Sequence, residues 1–244
     1  MKKFIFFLAI VFSSALFASN TFVEYTVDGK TYEGYYASAS KDAPLVLMVH
    51  DWDGLNAYEI KRAQMLNELG YAVFALDMFG KGVKPETVEE RKAITTALYQ
   101  DRVKMRKLLD AGYHAAKAQG ANVSNALGMG YCFGGTVMLE MARSGTPLKG
   151  FAIFHGNLAT PAGQDYKLTK APILILHGSA DTSVSMSEFA GLITELEATK
   201  IKHEAITYSG APHAFSVFGS ERYREDADKK SWARFTTFLK ETLQ

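Results

Sequence analysis

The chain of 244 residues contains a single cysteine, Cys132, so no disulfide can form within it. Charges of the two signs almost balance, with 27 Lys and Arg against 26 Asp and Glu. This balance gives no electrostatic basis for binding nucleic acid, and none is expected as a partner. Beyond the first residues, no apolar run reaches the ~20 residues of a membrane-spanning helix. Repeats and low-complexity linkers are also lacking, which indicates one domain.

Residues 1–18 have the pattern of a secretory signal peptide. Two lysines precede the apolar run from Phe4 to Phe12, and small residues follow it. We predict cleavage after Ala18, which leaves a domain of residues 19–244. The alternative is a membrane anchor, but the apolar run is shorter than a spanning helix requires. We therefore expect a periplasmic or secreted protein with no stable membrane anchor after cleavage.

Apolar strand patterns alternate with helical patterns through the rest of the chain. Two alternating segments flank Asp28-Gly29, a dipeptide typical of hairpin turns because both central residues of a type I′ turn need positive φ. Later strand candidates are apolar on both faces, as in a parallel sheet covered by helices. They are Pro44–His50, Tyr71–Asp77, Ala126–Tyr131, Gly150–Phe154, Ala171–His177 and His203–Tyr208. Helical patterns occupy roughly 57–69, 86–118, 135–144, 185–199 and 221–243. We predict an α/β fold with a mostly parallel, doubly wound sheet and an N-terminal antiparallel hairpin.

One strand end carries a motif for nucleophilic catalysis. The segment from Gly130 to Gly134 reads G-x-C-x-G and lies between a strand pattern and a helix pattern. This tight turn needs glycine on both sides of the nucleophile, because a Cβ there would strike neighbouring backbone. The turn exposes Cys132 at a helix N-terminus, where the helix dipole favours thiolate. Cys132 is therefore the predicted nucleophile.

Two other interpretations of this motif compete. A structural cysteine would be packed in the core, whereas this turn directs its side chain outward. The glycines Gly128, Gly130 and Gly134 also fit a dinucleotide-binding loop, which needs an acidic residue at the end of the next strand. That strand ends at Phe154-His155 without an acid. No nucleotide cofactor is therefore expected.

A thiol nucleophile needs a base to take its proton, and the base needs an acid to orient it. In α/β-hydrolases the acid and then the histidine follow the nucleophile along the chain. Asp181 and His213 follow Cys132 in this order, each in a loop after a strand pattern. The competing interpretation of Asp181 is an aspartate that caps a turn. The sequence predicts an α/β-hydrolase with Cys132, Asp181 and His213 as its catalytic residues.

The other five histidines are predicted to be structural. His114 and His203 lie in helix or strand approaches, whereas His50, His155 and His177 end strands and are expected to brace loops.

An oxyanion hole should combine two backbone amides. One is expected from Phe133, next to the nucleophile, and the other from the loop after the third strand, where Trp52 is the predicted donor. Neither a metal nor a cofactor is expected in this site.

These motifs resemble the dienelactone hydrolase family. The resemblance runs from the third strand to the C-terminal helix and rests on Asp51–Asn56, Leu76–Gly82, Gly130–Gly135, His177–Asp181 and His213–Phe215. It implies an α/β-hydrolase fold and a cysteine hydrolase of esters and lactones that needs no cofactor. It also implies a triad of Cys132, Asp181 and His213.

The chain departs from the prototype of this family at three positions. Asp51 stands where the prototype has a glutamate that interacts with the thiol, so Asp51 is expected to modulate Cys132. The prototype holds a substrate carboxylate with two arginines, and Lys81 and Val217 stand at the corresponding positions. Lysine cannot form a bidentate fork and valine has no charge, so dienelactone itself is not the expected substrate. The predicted pocket residues are Lys81, Tyr131 and Phe215, beside the further aromatic residues Trp52, Phe79 and Phe133.

The favoured interpretation is a monomeric enzyme that cleaves a small-molecule ester or lactone through a thioester acyl-enzyme. A thioesterase, peptidase or acyltransferase with the same triad is a close alternative. The alternative of a different class is a non-catalytic binding protein that kept the fold, against which an intact triad argues.

Overall fold

The computed structural model describes residues 19–244, so the predicted signal peptide lies outside the described residues. Eight strands form one sheet in the order β1-β2-β4-β3-β5-β6-β7-β8. The strands are β1 (Ser19–Val27), β2 (Lys30–Ser38), β3 (Pro44–Val49), β4 (Ala72–Leu76), β5 (Asn122–Tyr131), β6 (Phe151–Phe154), β7 (Ile173–Gly178) and β8 (His203–Tyr208). The helices are α1 (Ala57–Glu68), α2 (Val88–Gln100), α3 (Arg102–Ala118), α4 (Phe133–Arg143), α5 (Met186–Ala198) and α6 (Glu225–Leu243). Within this range no helix has the length and apolar character to cross a bilayer.

The predicted N-terminal hairpin is confirmed. Strands β1 and β2 pair antiparallel around Asp28 and Gly29, whose φ angles are +51° and +76°. Strand β2 then pairs antiparallel with β4, and the pairs from β4 through β3 to β8 are parallel. The sheet is therefore mostly parallel, with its antiparallel part at one edge.

Helices cover both faces of the sheet. On one face, Leu66 of α1 and Leu239 of α6 share a buried cluster with Met48 of β3. On the other face, Leu139 of α4 packs with Leu47 of β3, together with apolar residues of α3 and α5. Successive residues of β3 thus point to opposite covered faces, which explains why the central strands are apolar throughout.

The single helix pattern predicted over 86–118 is two helices. Asp101 ends α2 and also begins α3, where its carboxylate accepts a hydrogen bond from the Lys104 amide at 2.9 Å. Its backbone leaves the helical region, with φ −110° and ψ +76°. Because Asp101 caps the start of α3, the sequence forms two successive helices where its pattern alone predicted one.

The carboxyl ends of the parallel strands meet at one edge of the sheet. The segments after β3, β5, β7 and β8 carry Asp51, Cys132, Asp181 and His213 respectively. Residues distant in the sequence are brought together there, as expected for this architecture.

Candidate active site

Cys132 occupies a sharp turn between β5 and α4. Its φ is +46°, in the left-handed region that a non-glycine residue rarely adopts. A Cβ on Gly130 would lie 2.2 Å from the Gly134 carbonyl group, and one on Gly134 would lie 2.2 Å from the Val49 carbonyl oxygen. Both glycines are therefore required by backbone contacts, as the sequence predicted.

The structure brings the three predicted catalytic side chains into hydrogen-bonding contact. His213 Nε2 lies 3.1 Å from Cys132 Sγ, and His213 Nδ1 lies 2.7 Å from Asp181 Oδ2. The other Asp181 oxygen accepts from the amides of Ser183 and Val184 at 2.8 and 2.9 Å. Because a carboxylate only accepts, Nδ1 carries the proton and Nε2 presents its lone pair to the thiol.

The Asp181 carboxyl is set up to remain ionised. Burial alone would raise its pKa, but the hydrogen bond and charge of His213, together with the two loop amides, hold the pKa below its ordinary value. An ionised carboxylate fixes the His213 tautomer and stabilises the imidazolium formed when His213 takes a proton.

The surroundings of the Cys132 thiol oppose its ionisation. Burial raises its pKa well above the ordinary value, and the adjacent Asp51 carboxylate raises it further, while the Phe133 amide acts in the opposite direction. The lowering expected from the helix dipole is therefore outweighed. A protonated thiol must lose its proton to act as a nucleophile, and His213 Nε2 is the basic nitrogen in contact with it.

Asp51 is buried in the loop after β3. Its Oδ1 accepts from the Trp52 amide at 2.5 Å, and its own amide donates to Glu59 Oε1 at 3.2 Å. Burial raises the pKa of Asp51 to about 6, against the opposing effects of the Trp52 amide, Cys132 and His213. The charge of Asp51 thus changes just below neutral pH, beside the thiol.

The two predicted oxyanion donors differ in whether their N–H group already has a hydrogen-bond acceptor. The Phe133 amide lies in the first turn of α4, where amides have no acceptor within the helix. The Trp52 amide donates to Asp51, so an oxyanion would have to displace that carboxylate oxygen.

Tyr131 and Phe215 do not line the pocket, contrary to the prediction. Both side chains are fully buried. Tyr131, the last residue of β5, points to the face covered by α1 and α6 and packs against the Tyr58 ring. Phe215 packs against the rings of His155 and Tyr208. Strand alternation and the turn after His213 direct these rings into the core.

Lys81 is also engaged elsewhere. Its ammonium pairs with Glu24 and lies 3.0 Å from Glu33, on strands β1 and β2. It lines a cavity of about 610 Å³, which shares Asp53, Asn56, Ala57 and Arg91 with a second cavity that Asp51 lines. The predicted role of Lys81 in the substrate pocket therefore lacks a direct contact with the triad region.

The cavity beside the triad has a volume of about 760 Å³. Asp51, Trp52, Ala214 and Val217 line it next to the predicted catalytic residues. It also carries three cations that the sequence did not single out, Lys61, Arg91 and Arg222, and two further acids, Asp53 and Glu221. Arg91 was missed because it lies on α2, far from every motif. Its guanidinium stands 5.6 Å from the Trp52 ring, and its Nε donates to the Pro85 carbonyl at 3.1 Å.

The three histidines at strand ends are buried and hydrogen-bonded, in keeping with their predicted structural role. His50 Nδ1 donates to the Asp51 carbonyl at 2.6 Å, and its Nε2 accepts from the Met78 amide at 3.1 Å. His177 Nε2 donates to the Val184 carbonyl at 3.1 Å. Within residues 19–244 no cluster of His, Cys, Asp and Glu has an arrangement that could hold a metal ion.

The fold and this site define an α/β-hydrolase with a nucleophile elbow, and comparison with known proteins identifies the family. The dienelactone hydrolase family profile matches residues 32–243. A putative carboxymethylenebutenolidase of Salmonella typhimurium is 24% identical over 219 residues, covering 84% of this chain and 81% of that protein. Its Escherichia coli K12 counterpart is 23% identical over 208 residues, covering 81% and 77%. A solved dienelactone hydrolase-like promiscuous phosphotriesterase from metagenomic libraries is 27% identical, with a TM-score of 0.86 and coverage of 93% and 99%.

The chain belongs to the dienelactone hydrolase family. It is an enzyme of that family, a hydrolase that acts on ester bonds.

Proposed function

We propose that this protein is a cysteine hydrolase that cleaves small-molecule carboxylic esters or lactones through a thioester acyl-enzyme. The observation that carries the proposal is the unbroken contact from Cys132 Sγ to His213 Nε2 at 3.1 Å and from Nδ1 to Asp181 at 2.7 Å. This arrangement supplies a nucleophile, a general base and an orienting acid.

The first half of the reaction forms the acyl-enzyme. The Cys132 thiol gives its proton to His213 Nε2 as sulfur attacks the ester carbonyl carbon and a C–S bond forms. The carbonyl electron pair moves to oxygen, which the Phe133 amide stabilises. When the pair returns, the C–O bond breaks and His213 gives its proton to the leaving alkoxide. With a lactone, the new hydroxyl stays attached to the acyl group.

The second half releases the acid. His213 Nε2 takes a proton from water as the water oxygen attacks the thioester carbonyl. The C–S bond then breaks, and the proton on His213 returns to the Cys132 sulfur. The enzyme is restored, and one water has been consumed for each ester cleaved.

The proposed substrate carries no carboxylate near the reacting carbonyl. Val217 provides no charge in the cavity, and Lys81 is neutralised by its two glutamate partners. The cations of the cavity are matched by Asp51, Asp53 and Glu221, so their charges provide no net attraction for an anion. Dienelactone itself is accordingly not the proposed substrate.

We further propose that the enzyme acts as a monomer in the periplasm or outside the cell. The support for export is the N-terminal pattern of two lysines, an apolar run and small residues.

A burst experiment with an activated aryl ester tests the proposal. Release of chromophore equal to the enzyme concentration, followed by a slower steady rate, requires a covalent intermediate. Intact-mass analysis should place the acyl group on Cys132, and the Cys132→Ala variant should give neither burst nor adduct. A non-catalytic binding protein would give no burst with the wild type.

A further inference from the structure

A buried chain of hydrogen bonds converges on Ser216, three residues after the proposed catalytic base. The Ser216 Oγ lies 2.9 Å from the Tyr58 hydroxyl and 2.9 Å from His155 Nε2. The Ser216 carbonyl accepts from Arg62 Nη2 at 2.9 Å. Ser216 and His155 are 0% and 1% exposed. None of these four side chains takes part in the proton transfers proposed for catalysis.

Arg62 fixes the direction of the hydrogen bonds at one end of this chain. A guanidinium can only donate, and Arg62 Nε donates to the Tyr58 hydroxyl oxygen at 3.3 Å. With its oxygen accepting from Arg62, the Tyr58 hydroxyl can donate to Ser216 Oγ, and the Ser216 hydroxyl can then donate to His155 Nε2. In this arrangement His155 Nε2 accepts, so its proton resides on Nδ1. Nδ1 makes no hydrogen bond of good geometry to any residue in 19–244, so the bond at Nε2 alone selects this tautomer.

Arg62 is held in place by its surroundings. Its guanidinium forms a buried ion pair with Asp228 of α6 and lies 4.1 Å from the Phe218 ring centroid and 4.8 Å from that of Trp232. The Arg62 donor is therefore fixed by groups of α6 and of the loop that precedes α6.

The far end of the chain contacts the catalytic base. The rings of His155 and His213 meet edge to face, with centroids 5.3 Å apart. His155 has φ +40°, and Ala214, between His213 and Ser216, has φ +61°. Two non-glycine residues in the left-handed region must be held by surrounding contacts. The contacts at Ser216 are suited to hold the loop that carries His213.

His155 remains neutral in this setting. Burial lowers its pKa well below the ordinary value, and the neighbouring groups His213, His177 and Arg62 lower it further. A neutral ring beside His213 places no second positive charge against the imidazolium formed during acylation.

We propose that Ser216 is a positioning residue for the catalytic histidine, clamped by Arg62, Tyr58 and His155. The proposal rests on the proposed role of His213 as the base. The clamp holds the His213 loop so that Nε2 faces the thiol, and it fixes His155 as the Nδ1–H tautomer.

The first test reads the tautomer by ¹⁵N NMR of histidine-labelled enzyme, with assignments from single His→Gln variants. His155 should be protonated on Nδ1. Two buried histidines provide internal standards, because carbonyl partners fix His50 as Nδ1–H and His177 as Nε2–H. Ser216→Ala should shift the His155 signals and leave those of His177 in place. Protonation of His155 on Nε2 in the wild type would overturn the assigned direction.

The second test measures the acylation rate in the burst phase. Ser216→Ala should lower it by about 10- to 100-fold, since a misplacement of roughly 1 Å can cost that much, with KM changed by less than about twofold. Tyr58→Phe keeps the ring but removes the donor, and should give a smaller decrease. Ser38→Ala is the matched control, because Ser38 is buried and donates to the Ser40 carbonyl far from the site.

The outcomes separate the two proposals. A wild type that forms no acyl adduct on Cys132 refutes the acyl-enzyme and leaves the tautomer test standing. A wild-type burst with equal rates in Ser216→Ala and Ser38→Ala refutes the positioning role alone. Should Ser216→Ala fail to fold, Tyr58→Phe provides the same comparison, and a wild-type rate in that variant refutes the clamp.

Discussion

Replacing Asp51 by asparagine should make the Cys132 thiol more reactive toward iodoacetamide. Burial and the adjacent Asp51 carboxylate both raise the pKa of the thiol. The variant removes the carboxylate charge but keeps an oxygen for the Trp52 amide. A like charge in close contact alters an ionisation equilibrium by about one to three powers of ten. Because only thiolate reacts, the alkylation rate above about pH 7 should rise by roughly tenfold or more.

The pH dependence of this effect has a definite sign. Burial raises the pKa of Asp51 to about 6, so the wild-type carboxyl is neutral at lower pH and then resembles asparagine. The ratio of the variant rate to the wild-type rate should therefore be near one below this pKa. As pH rises through about 6, the wild-type carboxylate becomes charged and the ratio should increase to a plateau.

Alkylation rates against pH, measured for wild type and variant side by side, provide the assay. Asp53→Asn is the control, since it removes a charge from the same loop without touching the Trp52 amide, and it should change the rates much less. Asp51→Asn should also be inactivated faster by peroxide, which attacks thiolate. Coincident profiles for wild type and Asp51→Asn would refute this reasoning and leave Asp51 as a brace for its loop.

Three further predictions concern catalysis, specificity and folding. Cys132→Ala and His213→Ala should each lower kcat by on the order of 10³-fold or more with little change in melting temperature. Asp181→Asn should also lower kcat severely, because the His213 tautomer is no longer controlled. An active His213→Ala enzyme would exclude His213 as the base. Neutral aryl esters should have higher kcat/KM than matched esters with a carboxylate, because Val217 stands uncharged in the cavity; the opposite preference would refute this view of the pocket. Gly134→Ala should destabilise the fold by about 3 kcal/mol or more in urea unfolding, since its Cβ would lie 2.2 Å from a backbone oxygen of β3; unchanged stability would contradict the elbow geometry.

The fold and the triad could be predicted because they depend on short local motifs and on the order of the strands along the chain. The Asp28-Gly29 turn and the glycines at 130 and 134 impose backbone geometry directly. Parallel strands then place their carboxyl ends at one edge, so chain order alone brings Asp181 and His213 near the elbow.

The pocket could not be predicted in the same way. Tyr131 was assigned to it as an aromatic residue on a loop at the catalytic edge, but it is the last residue of β5, and successive strand residues point to opposite faces. Arg91 reaches the cavity from α2, and its place depends on how that helix packs. Lys81 has its glutamate partners on two strands of the hairpin, a pairing that no local motif encodes. Side-chain direction and long-range packing decide these positions.

In the resting site, the Asp51 carboxylate occupies the Trp52 amide and therefore competes with a substrate oxygen for that donor. If Trp52 is the second oxyanion donor, as the sequence predicts, a substrate oxygen needs the amide that Asp51 engages at 2.5 Å. A neutral carbonyl is the weaker acceptor and should not displace a carboxylate, whereas the negative oxygen of the tetrahedral state competes on equal terms. The Trp52 amide therefore stabilises the transition state more than it stabilises the bound ester, and such a difference raises kcat. A carboxylic acid product binds the Trp52 amide through a carboxylate of the same kind as that of Asp51. The Asp51 carboxylate can therefore take its place at the amide, which assists product release.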